Sequence, residues 1–128
     1  MKAIFILLVS LCFVTVSCKK SKVLPKGLAG EEVNMVYTYV AASDSPYSLN
    51  QEELFKFKST GKLKIGNQAT MDPCVQDTYG QLVWEDDNYV YKLSFKPNTD
   101  EINEVNVFKQ NSSGTTSSSD FLGQFEPK

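Results

Sequence analysis

The segment from Phe55 to Ile65 alternates apolar side chains with lysines, and no other feature limits the possible folds of this chain so strongly. A period of two places alternate side chains on opposite faces of a β-strand. Pairing position 57 with 63 leaves 59–61 as a three-residue loop ending in Gly61, where a left-handed conformation costs little. This register predicts a hairpin with four apolar residues on its inner face: Phe55, Phe57, Leu63 and Ile65.

The outer face of the predicted hairpin carries four lysines, which we call the lysine stripe: Lys56, Lys58, Lys62 and Lys64. The same register sets Lys58 opposite Lys62 and Lys56 opposite Lys64. Like charges in facing positions repel each other by about a few tenths of a kcal/mol per pair. Two explanations remain open: acidic side chains of a neighbouring strand neutralise the stripe, or the stripe contacts an acidic protein or an anionic lipid.

Further segments rich in β-branched and aromatic residues are bounded by turn residues, as strands are. They span 33–41, the two arms of 81–95, 101–109 and 120–126, while residues 72–74 fall in a turn-rich stretch. No segment of the mature chain has the pattern of a long helix. About seven strands without crossover helices predict an all-β domain, folded as a single small antiparallel barrel or sandwich.

The first 17 residues, MKAIFILLVSLCFVTVS, combine one lysine with an apolar run that is short for a membrane span, which is typical of a secretory signal. Small or β-branched residues precede Cys18. This stretch resembles the signal of bacterial lipoproteins, in which the cysteine after the cleavage site becomes the lipid-bearing first residue. The resemblance implies a signal peptide at 1–17, a basic lipid-anchored tether at 18–30 and a β domain at 31–128, attached to a membrane of the cell envelope.

The aromatic strands of residues 33–126, with Trp84 followed by a Tyr-x-Leu-x-Phe segment, are similar to the small lipocalin-like β-barrel domains of bacterial lipoproteins. This resemblance implies the barrel fold and assigns no functional residue. The alternative to lipidation is ordinary secretion of a soluble protein. In that case Cys18 and Cys74 could form a disulfide that ties the tether to the domain.

Charge is unevenly distributed along the chain, whose 13 basic residues are all lysines. Residues 19–26 carry four of them, whereas residues 27–128 carry eight lysines against 15 carboxylates. A lysine close to anionic head groups contributes roughly 1 kcal/mol to membrane binding, so a basic tether would add to a lipid anchor. The acidic domain without arginine disfavours nucleic acid as a partner.

The residue types that are missing disfavour most catalytic chemistry. Without histidine the chain lacks the commonest general base and metal ligand, and without arginine it lacks the bidentate clamp for phosphate and carboxylate groups. The acidic run at 85–87 is typical of a solvated hairpin tip. We therefore predict no enzymatic activity, no metal and no cofactor.

The sequence favours a non-catalytic binding module of the protein-interaction or inhibitor type. Its candidate partner-binding residues are the lysine stripe and Trp84, because exposed aromatic side chains are enriched in interfaces. A second hypothesis is a small lipocalin-like carrier of an apolar ligand. The carrier ranks lower because roughly 100 ordered residues leave little volume for a ligand once the core is filled.

Overall fold

The computed structural model describes residues 24–77, 79–113 and 116–128. The cleavage site and Cys18 therefore lie outside the described residues. The described part of the chain forms eight strands and a short 3₁₀ turn at Ser118–Asp120. The strands are β1 Glu32–Val40, β2 Glu52–Phe57, β3 Leu63–Ile65, β4 Pro73–Gln76, β5 Leu82–Glu85, β6 Tyr89–Phe95, β7 Ile102–Lys109 and β8 Phe121–Pro127.

All eight strands belong to one antiparallel sheet in the order β3-β2-β1-β8-β7-β6-β5-β4. Strands that follow each other in the chain are neighbours except β3 and β4, which form the two edges of the sheet, and β1 also pairs with β8. The two edges of the sheet approach each other at a single bridge between Leu63 and Met71. The molecule is thus a nearly closed up-and-down barrel, which confirms the predicted all-β antiparallel fold and selects the barrel over the sandwich.

Strand β4 is the element that the sequence did not indicate. Its range, Pro73–Gln76, overlaps the stretch that was predicted as turns. Proline and a register shift between Pro73 and Gln76 make this an irregular strand, which explains its weak sequence signal. With β4 included, the described strands number eight instead of the predicted seven or so.

The register of the β2–β3 hairpin agrees with the alternation in the sequence. Phe55 pairs with Ile65, Lys56 with Lys64, and Phe57 with Leu63. The Lys58 amide donates a hydrogen bond of 2.8 Å to the Lys62 carbonyl, which closes the loop at 59–61. Gly61 has a φ of 94°, in the left-handed region expected at the end of a three-residue hairpin loop.

Aromatic and aliphatic side chains fill the interior of the barrel. The ring of Phe125 lies at the centre of this core, with its centroid 4.7 Å from that of Tyr37, 4.8 Å from Tyr47 and 5.0 Å from Phe55. All four residues are buried. Ring pairs at these distances are typical of packed protein cores. The interior therefore serves as a hydrophobic core.

Because successive strands run in opposite directions, the connections between them lie alternately at the two ends of the barrel. The β1–β2, β3–β4, β5–β6 and β7–β8 connections lie at one end, which we call the distal end. The other three connections lie at the opposite end together with both ends of the domain, residues 24–31 and Lys128. We call this the tether end, because residues 18–23 join the domain there.

Candidate binding surface

The lysine stripe lies on the outer face of the β2–β3 hairpin, as the alternation predicted. Lys58 and Lys62 are exposed, while Lys56 and Lys64, which lie within the strands, are half-buried. The apolar partners of the hairpin, by contrast, are at most 1% exposed. The fold thus places all four ammonium-bearing side chains on one outer surface.

The carboxylates near the stripe neutralise it only in part. The Lys62 ammonium lies 3.5 Å from a carboxylate oxygen of Asp72, and Glu32 lies opposite Lys56 in the register between β1 and β2. Asp72 is largely exposed, and ion pairs of this kind contribute little to stability. Lys56, Lys58 and Lys64 form no ion pair within the described part of the chain. The acidic side chains of the fold therefore neutralise only part of the stripe, and contact with an acidic partner stays a prediction.

The segment that leads into the barrel runs directly beside the strand that carries half of the stripe. The Gly30 amide donates a hydrogen bond of 2.7 Å to the Phe57 carbonyl, and the Phe57 amide donates one of 2.9 Å to the Glu31 carbonyl. Leu24 and Leu28 are buried in the same region. The stripe therefore begins where the tether joins the folded domain.

Trp84 was predicted to bind a partner, which requires an exposed side chain, but the structure buries it in the core. It is 2% exposed, and its indole N–H donates a hydrogen bond of 2.8 Å to the Gly61 carbonyl. Its ring centroid lies 5.8 Å from that of Phe57. Trp84 is a core residue that joins β5 to the β2–β3 loop, so it is not part of the candidate surface.

The acidic run at 85–87 lies at the distal end, where it borders an open groove of about 530 Å³ formed with residues 68–72. One carboxylate oxygen of Asp86 accepts hydrogen bonds from the amides of Asn88 and Tyr89, at 2.8 and 2.7 Å. Asp86 therefore stabilises the β5–β6 turn, as expected of an aspartate at a hairpin tip. Among the described residues no group of three or more histidine, cysteine or carboxylate side chains is arranged to hold a metal ion.

A hydrogen-bonded group of polar side chains beneath the distal end was not anticipated from the sequence. The β1–β2 connection carries Tyr47 into the barrel, where its hydroxyl lies 2.9 Å from that of Tyr91. The Gln68 amide donates a further hydrogen bond of 2.9 Å to the Tyr47 hydroxyl. These residues come from three separate parts of the chain, so no local pattern could have indicated their contact.

The buried phenols predict a loss of stability in alkali. Burial raises the pKa of Tyr47 and Tyr91 above their ordinary value of 10.0. Above about pH 10 the unfolded chain releases these protons while the folded barrel keeps them, so stability is complete below that pH and falls as the pH rises. In urea unfolding, stability should be nearly independent of this phenol at about pH 9, and above about pH 10.5 Tyr91→Phe should reduce the slope by about 1.4 kcal/mol per pH unit.

Tyr79 provides a matched control for this measurement, because its side chain is 88% exposed. Tyr79→Phe should leave the slope of stability against pH unchanged. Equal slopes for the parent and Tyr91→Phe would show that the Tyr91 phenol does not differ between the folded and unfolded states.

With these features the chain is defined as a packed antiparallel barrel with a partly neutralised basic outer surface. No family model, no curated protein and no solved structure matches this chain. Within the described ranges the structure contains no helix that is long and apolar enough to cross a membrane.

Proposed function

We propose that this protein is an exported binding module, attached to a membrane of the cell envelope through a lipid on Cys18, that uses the lysine stripe to bind an acidic partner without catalysis. The observation that carries the proposal is the position of Lys58 and Lys64. Both lie on an outer face without an ion pair in the described structure, on a domain where carboxylates outnumber lysines. A positive surface of this kind attracts negatively charged partners.

Two further features support binding on the outside of the barrel. The interior is filled by a packed core, which leaves the outer surface as the place for recognition. The absence of histidine and arginine from the sequence supports a role without catalysis. The lipidation part of the proposal rests on the resemblance of residues 1–18 to a lipoprotein signal.

Intact mass spectrometry of the native protein tests the anchor. An N-terminal Cys18 carrying acyl chains supports it, and Cys18→Ser should release the protein from membranes. An unmodified Cys18 would contradict the anchor, and a disulfide with Cys74 would favour the secreted alternative. Neither outcome bears on the lysine stripe, which needs a separate test.

The binding surface is tested by retention on immobilised polyglutamate, a simple acidic probe. Lys58→Gln combined with Lys64→Gln should weaken binding roughly tenfold or more, and binding by the parent should fall as the salt concentration rises. Lys92→Gln combined with Lys109→Gln removes the same charge from other strands and serves as the matched control. Equal weakening by both double variants would show that only net charge matters and would contradict a site at the stripe.

The melting temperature of the stripe variant separates binding from folding. Removing two of four facing like charges should leave the melting temperature level or raise it slightly. A retained melting temperature with lost binding assigns the effect to the surface.

A further inference from the structure

The distance between the proposed anchor and the barrel is short. Five residues, 19–23, separate Cys18 from Leu24, the first described residue, which is buried against the tether end. Six residue steps span at most about 20 Å even when fully extended. Since this inference rests on the proposed function, a lipid on Cys18 would hold the tether end within that distance of the membrane surface.

The lysine stripe lies at the end of the barrel that this geometry brings to the membrane. Lys58 and Lys62 flank the β2–β3 loop, which is one of the connections at the tether end. Lys26 is exposed in the segment that leads into β1. The backbone hydrogen bonds between Phe57 and residues 30 and 31 fix this segment against the strand that carries Lys56.

The connections of the distal end are more acidic than those of the tether end. At the tether end the carboxylates are offset by lysines: Glu31, Asp77, Asp100 and Glu101 against Lys26, Lys58, Lys62, Lys96 and Lys128. Five aspartates lie in the connections of the distal end: Asp44, Asp72, Asp86, Asp87 and Asp120. Asp72 is the one that pairs with Lys62 of the stripe. Lys109, which adjoins the distal end, forms an ion pair of 3.3 Å with Asp44, which cancels a positive charge at that end. An anionic surface would repel these carboxylates while it attracts the stripe, so the charge distribution favours one orientation of the barrel.

From these observations we infer that the acidic partner of the lysine stripe is the anionic phospholipid surface itself. Lysine ammonium groups act as compact point charges and bind phosphate without the fixed bidentate geometry of arginine, which suits a fluid layer of head groups. A single acyl chain binds a membrane weakly, and a basic surface next to it strengthens the attachment. The stripe is thus a second membrane contact that lays the β2–β3 hairpin against the lipid and turns the distal end away.

The test uses the exported chain with Cys18→Ser, so that any binding to vesicles is independent of an acyl chain. Co-sedimentation is measured with vesicles of phosphatidylcholine containing about 30% phosphatidylglycerol, and with phosphatidylcholine alone. Lys58→Gln with Lys64→Gln should weaken binding to the anionic vesicles by roughly 30-fold, from roughly 1 kcal/mol per lysine. Lys92→Gln with Lys109→Gln should change it much less, and neutral vesicles should bind none of the variants.

The outcomes separate this inference from the proposed function. If the stripe variant loses binding to polyglutamate but binds anionic vesicles as the parent does, the lipid surface is excluded and an acidic protein remains the partner. If the stripe variant keeps both kinds of binding, the inference and the proposed surface both fail. If Cys18 of the native protein proves unmodified while the stripe still governs vesicle binding, the anchor fails and the lipid contact stands.

Discussion

Replacement of Trp84 by alanine is expected to lower the free energy of unfolding by about 3–5 kcal/mol. The indole is 2% exposed and contacts the ring of Phe57, so its removal leaves a cavity in the core. The change also removes the donor to the Gly61 carbonyl, close in the chain to Leu63, whose bridge to Met71 joins the two edges of the described sheet. Because domains of this size have only about 5–15 kcal/mol of stability, the loss should be obvious in urea unfolding followed by circular dichroism.

Trp84→Phe separates the two contributions, since it keeps an aromatic ring and removes only the N–H donor and part of the volume. We expect it to cost less than the alanine variant and to exceed about 1 kcal/mol, the penalty of leaving a buried carbonyl unpaired. An alanine variant as stable as the parent would show that Trp84 does not hold the barrel closed. Tryptophan fluorescence cannot follow these variants, because Trp84 is the only tryptophan in the chain.

Gly123→Ala is expected to destabilise the barrel by about 1–3 kcal/mol, as overpacking of a core does. Gly123 lies in β8 with a φ of 155° and faces the interior. A Cβ at this position would overlap the Tyr37 hydroxyl, the Tyr37 ring carbon Cζ and the Tyr39 carbonyl oxygen. The carbonyl belongs to the backbone of β1, which pairs with β8, so relief requires the two strands to move apart.

Gly27→Ala is the matched control, because a Cβ at Gly27 would meet no atom within 4 Å. It should change stability by less than about 0.5 kcal/mol. Combining Gly123→Ala with Tyr37→Phe removes the hydroxyl, one of the three overlapping atoms, and should recover part of the loss. The overlap is wrong as an explanation if Gly123→Ala and Gly27→Ala have equal melting temperatures.

A barrel with a nearly closed sheet and a packed core suits the proposed role of the lysine stripe. The facing pairs of lysines are held by the ladder between β2 and β3, so their spacing does not depend on a flexible loop. The inner faces of these strands are anchored by Phe55 and Phe57, which pack against Phe125 and Trp84. The core therefore positions the charges, and binding would require no rearrangement of the fold.

Local patterns in the sequence were sufficient to predict the two hairpins, β2–β3 and β5–β6. The alternation in 55–65 determined the register of β2 and β3, because slipping by one residue would move both phenylalanines to solvent. Turn chemistry likewise located Gly61 and the tip at Asp86. The outer position of the lysine stripe follows from the same alternation, since side chains of a strand alternate between its faces.

The tertiary structure alone decided which distant residues meet. Whether Trp84 faces a partner or the core depends on its neighbours from other strands, and the structure places the Gly61 carbonyl at the indole N–H. The contact of Tyr47 with Tyr91 joins positions 44 residues apart in the chain, and the closing bridge at Met71 depends on where both edges of the sheet lie. The sequence by itself determined most of the strands, the register of the β2–β3 hairpin and its charged outer face, because these depend on the period of the side chains. Closure of the barrel, the burial of Trp84 and the nearness of the stripe to the tether depend on contacts between separate strands. A local pattern does not encode such contacts.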